Sequence, residues 1–71
     1  MQEVISKLIN ERLDLIEKIG RLGNFVSKYG HMFNNKYVEL LNKQHSIMID
    51  YMHVLEDRLQ LLKGETDDKE N

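Results

Sequence analysis

From Gln44 to Leu62 the chain reads QHSIMIDYMHVLEDRLQLL, and Met48, Tyr51, Leu55, Leu59 and Leu62 recur at the three-and-four spacing of a single helix face. Carried back to Tyr37 and Leu41, the stripe runs for about seven turns, and no proline interrupts it. A chain dominated by such a stretch is confined to all-helical folds. Two polar residues stand on the stripe where a plain apolar seam would carry leucine: Gln44 near its centre and Arg58 on its flank. A buried amide or charge without a partner costs several kcal/mol. Each therefore requires another side chain, another subunit or a ligand.

The first part of the chain repeats the pattern. At 100° per residue, Ile5, Leu8, Ile9, Leu15, Ile16, Ile19, Leu22 and Val26 fall on one broad face, which predicts a helix over residues 3–28. Arg12 projects from the middle of that face and is the third polar group on an apolar surface. Gly20 and Gly23 each cost about 1 kcal/mol relative to alanine in a helix interior, and close approach of another backbone is a reason to keep Gly23. Residues 29–35, YGHMFNN, break the period: Gly30 is suited to end a helix, and Asn34 or Asn35 to cap the next. Met32 and Phe33 are too apolar for a free loop tip and are expected to cover the open end of the hairpin or to meet a neighbour.

The second helix is predicted over 35–63, with Gly64 ending it, and residues 64–71, GETDDKEN, are expected to form a disordered acidic tail. The organisation is thus one helical hairpin over 1–63 followed by a tail. A short turn makes the helices antiparallel, with facing positions adding to roughly 64. That register sets Arg12 level with residues 51–55 and Gln44 level with Gly20.

Seventy-one residues in two helices bury little apolar surface. There is no cysteine, hence no disulfide and no thiolate metal site. Oligomerisation is the remaining remedy, so the fold class is an all-α antiparallel hairpin assembling into a homo-oligomeric bundle. Its expected seam comprises Leu8, Leu15, Ile19, Leu22, Tyr37, Leu41, Gln44, Met48, Leu55, Leu59 and Leu62. No apolar run reaches membrane-spanning length, and the opening MQEVISK lacks the order of a signal peptide; the reading is a soluble, intracellular chain.

Residues 1–63 carry nine basic and eight acidic side chains, against one lysine and four acids in 64–71. A balanced body argues against non-specific binding to DNA or RNA, which normally shows as a basic face, and no nucleic-acid partner is expected. It leaves room for a small anion, for which two or three arginines or lysines suffice. His31, His45 and His53 have no metal-ligand spacing, and His53 lies in a surface ladder with Asp50 and Asp57. No nucleophile motif and no phosphate-cradling glycine loop is present. No metal and no cofactor is expected. Arg12 reads either as an ion pair with a carboxylate of another subunit or as an anion contact, Arg58 as an anion contact, and Tyr51 as a core aromatic or a ring that stacks on a base at a subunit boundary.

The patterns LINERxxLxEKIxxLxxFV over Leu8–Val26 and LLxxQxxxMxxYxxVLxxRL over Leu40–Leu59 resemble the helical-hairpin family of small bacteriophage proteins that includes anti-CBASS and anti-Thoeris sponges. Gln44, Met48, Tyr51 and Arg58 carry most of that resemblance, which covers residues 4–62. It implies a non-enzymatic homo-oligomer, commonly a hexamer, that sequesters cyclic di- or trinucleotide or related cyclic nucleotide messengers in the host cytoplasm. It further implies Arg58 as the first phosphate contact, Arg12 and Lys18 as the next, and Tyr51 as a stacking or shaping residue. Gly20 and Gly23 depart from the family's usual helix formers.

Two other readings stand beside it. One is a structural or protein-binding hairpin whose polar seam residues fix register. The other is a chorismate mutase, because LINERLDLIEKIGRLG is similar to the first helix of the all-helical members of that family. Where that family carries a substrate-holding lysine, this chain has Gly23, and the glutamine of a third helix has no counterpart.

Overall fold

The computed structural model describes residues 2–70, with side chains described for residues 2–64. Two helices, α1 (Gln2–Tyr29) and α2 (Asn35–Glu70), are joined by a single turn of 3-10 helix, Gly30–Met32. They pack antiparallel into a rod of 56 × 15 × 13 Å. Glu3 in the first turn of α1 and Lys28 in its last turn suit the helix dipole. α2 is capped as its sequence suggests: the Asn34 side-chain oxygen accepts the backbone N–H of Lys36 at 2.7 Å, and the Asn34 carbonyl accepts from Tyr37 and Val38.

Gly30 does not end α1 in a left-handed conformation, since no glycine among the described residues has a positive φ. It sits buried with Val26 3.5 Å from where a β-carbon would lie, and its carbonyl accepts the Phe33 N–H. The tight Gly30–Met32 turn carries the chain onward beyond α1 before it reverses. Reversal comes at Phe33, whose backbone is extended at φ −113° and ψ 159°. Facing positions consequently add to 68, as in Arg12 with Glu56 and Gly23 with His45, and the expected register of 64 is one turn out. Gly64 keeps helical backbone and does not stop α2. A lone glycine costs about 1 kcal/mol in a helix, too little to break one where no proline follows. The rest of the expected disordered tail, 65–71, falls outside the residues with described side chains.

The core consists of Leu8 and Leu15 of α1 against Leu55 and Leu59 of α2. Ile5, Ile9, Ile19, Met48, Met52 and Leu62 pack around it and are partly buried, as are Leu22 and Leu41. Tyr37 and Gln44, expected on the same seam, are exposed instead. The long apolar stripe of α2 is wider than one partner helix can cover. It divides into an inner face that meets α1 and an outer face that does not.

Candidate functional site

The outer face of α2 follows a strict alternation of three and four residues. One row is Tyr37, Gln44, Tyr51 and Arg58; the other is Leu40, Ile47, Val54 and Leu61. All eight are exposed, with Leu40 at 63% and Leu61 at 71%. The inner face is built on the same interval from Leu41, Met48, Leu55 and Leu62, one position along. Gln44 and Arg58, which would have been anomalies in a buried seam, lie on the uncovered face. Within the hairpin they need no partner.

The ends of this face are shaped by residues of α1. Near the turn, Phe33 lies between Phe25 and Tyr37, with ring centroids 5.7 and 5.1 Å away, and Phe25 also meets Tyr29 at 5.4 Å. Phe33 thus covers the open end of the hairpin as expected, whereas Met32 is 70% exposed. At the far end, Arg58 lines a hollow of about 300 Å3 with Val4, Leu61 and Leu62. Phe25 and Val4 come from the same edge of α1, three heptads apart, and Lys18 stands on that edge between them. At the observed register Lys18 comes level with residue 50, next to Tyr51, on the edge of α1 whose Val4 borders Arg58. Arg58 lies one heptad, about 10 Å, further along.

Arg12 is on a different face, and the structure supplies its partner. Its Nε and Nη2 both donate to Oε2 of Glu56, at 3.1 and 2.9 Å, and the two side chains are about one-third exposed. Neither sequence reading of Arg12 invoked a carboxylate of the chain's own α2. The one-turn difference in register is the reason, since the expected register put residue 52 opposite it. Glu56 is also 3.2 Å from Nδ1 of His53 through its other oxygen, so His53 pairs with Glu56 where Asp50 and Asp57 had been expected. The hydrogen bond from Arg12, then that from His53, lowers the Glu56 pKa below its ordinary 4.5. Lys18, Tyr51 and Arg58 are therefore brought to one side, and Arg12 is not among them.

Among the described residues no group of three His, Asp or Glu is arranged to hold a metal ion, and no helix is long and apolar enough to cross a membrane. Phe33 and Phe25 were not singled out as site residues. The spacing of Phe25, Phe33 and Tyr37 crosses the turn, so no helical period links them.

A family model described as Sequestin matches residues 2–61. The chain belongs to the Sequestin family. The match covers α1 and α2 as far as Leu61, including the outer face of α2 and the edge of α1 that borders it. The family's name denotes sequestering a ligand, as opposed to turning one over, and it agrees with the resemblance drawn from the sequence. Comparison with curated proteins and with solved structures finds no match to this Sequestin-family hairpin.

Proposed function

We propose that this hairpin is a bacteriophage anti-defence sponge of the anti-CBASS and anti-Thoeris kind. In this reading it assembles into a homo-oligomer, with a hexamer favoured, and holds cyclic di- or trinucleotide or related cyclic nucleotide messengers in the host cytoplasm without hydrolysing them. The observation that carries the reading is the Sequestin match over residues 2–61, taken with Lys18, Tyr51 and Arg58 on one uncovered apolar side. Cations set among apolar and aromatic side chains suit a ligand with phosphates and flat bases: guanidinium binds phosphate in a bidentate way, and rings stack on bases. Arg58 is the leading phosphate contact, with Lys18 next and Tyr51 as the stacking ring. Arg12 is second to these because Glu56 already neutralises it.

Isothermal titration against a panel of cyclic di- and trinucleotides and related cyclic nucleotides tests the proposal. One of them should bind, and Arg58→Ala should weaken it by about tenfold or more with the assembly intact, as expected for loss of a charge-assisted contact. Binding by no member of the panel would end the reading. The scaffold alternative draws on the Arg12–Glu56 pair, a polar seam contact satisfied within the chain that can fix register without any ligand.

A further inference from the structure

We propose that the outer face of α2 receives a second copy of this chain in antiparallel orientation, and that the contact joins Arg58 of one copy to the aromatic end of the other as a single nucleotide pocket. The pocket rests on the cyclic-nucleotide reading above; the docking does not. Among the described residues, six of the thirteen exposed large apolar side chains, including Leu40, Ile47 and Val54, stand on this face. They recur at heptad spacing, the pattern of a helix seam that is covered by another helix. α1 is already spent on the inner face.

Charge fixes the direction and the register. Along one flank of the seam, at seven-residue intervals, stand Lys36, Lys43, Asp50 and Asp57, all exposed. A two-fold axis that relates antiparallel helices sets this flank against itself. With facing positions adding to 93, Lys36 meets Asp57 of the second copy and Lys43 meets its Asp50, each pair occurring twice. A parallel pairing in register would instead bring Arg58 against Arg58, which is repulsive.

At the antiparallel register Arg58 comes level with residue 35 of the second copy, between Phe33 and Tyr37. Those two rings lie 5.1 Å apart, and Phe25 backs Phe33. The guanidinium takes a phosphate while an aromatic face takes the adjoining base. In this docking Tyr51 lies in the covered seam, so the stacking ring passes from Tyr51 to Phe33 and Tyr37 of the second copy; within one hairpin Arg58 and Phe33 are separated by most of the length of the rod. The axis generates two such pockets about 35 Å apart, too far for one cyclic dinucleotide to span, so each chain accounts for one ligand.

The cysteine-free sequence makes the docking testable by disulfide trapping. Full-length Lys43→Cys and Asp50→Cys chains are oxidised alone and as an equimolar mixture. The expected result is a disulfide dimer chiefly in the mixture, because the thiols of two Lys43→Cys chains would be out of level by about 10 Å, beyond disulfide reach. Equal cross-linking of either chain alone, or none in the mixture, overturns the docking whether or not a nucleotide binds. Cross-linked dimer is then titrated with cyclic di-AMP and a cyclic tri-adenylate, with and without Phe33→Ala. Binding of one of these at one per chain, weakened about tenfold by Phe33→Ala, supports the shared pocket. Binding that Phe33→Ala leaves unchanged overturns it. Failure of both nucleotides to bind a dimer that does cross-link overturns the pocket through the nucleotide reading it rests on, and leaves the docking standing.

Discussion

Arg12 shows how little a residue's neighbours in sequence say about its partner. It projects from the apolar face of α1, and its charge is answered by Glu56, forty-four positions away, where two guanidinium nitrogens converge on one oxygen. Because the folded pKa of Glu56 is lowered, its contribution to stability is fully present above its unfolded value of 4.5 and is lost as the pH falls through the folded value. Glu56→Gln should therefore be less stable than the parent at neutral pH by a small margin, as befits a pair one-third exposed. That margin should close on acidification below 4.5. Thermal melts of both proteins by circular dichroism between neutral pH and strong acid would register this, and a gap independent of pH would contradict it.

At the level of the elements, the helices follow from local chemistry and their relative placement follows from the turn. Asn34 supplies the cap that starts α2, so Asn34→Ala should cost about 1 kcal/mol, read by chemical denaturation. The two glycines of α1 should respond in opposite ways. A β-carbon at Gly20 meets nothing within 4 Å, so Gly20→Ala should stabilise by about 0.5–1 kcal/mol. At Gly23 a β-carbon would lie 3.3 Å from Nε2 of His45, and the gain in helix propensity is offset unless that ring moves aside. Equal gains at both positions would show that His45 yields freely. The glycine that sequence reasoning tied to close approach is thus the one with a neighbour, although that neighbour is a side chain and not a backbone.

For the whole molecule, four buried leucines are a small core for a rod 56 Å long, and among the described residues thirteen large apolar side chains remain exposed. A chain with that imbalance gains stability by covering the rest. The melting temperature should accordingly rise with protein concentration over a hundredfold range, by mass action on association. A melting temperature that does not move with concentration would mean the hairpin stands alone, and would remove the assembly on which a shared pocket depends.

The two helices, the break near Gly30, the Asn34 cap and the leucines of the inner seam were legible in the sequence because periodicity and capping are local properties of a few neighbouring residues. The register was not. It turns on whether Gly30–Met32 reverses the chain or carries it onward, a choice made by the packing of Phe33 between Phe25 and Tyr37 across the turn. That one-turn difference gave Arg12 its partner. It also set Lys18 within one residue of the level of Tyr51. The stripe on α2 was visible as apolar, but a helical wheel records angles and not what stands opposite them. Only the placement of α1 decided which half of the stripe is core and which half, with Gln44, Tyr51 and Arg58 on it, faces outward.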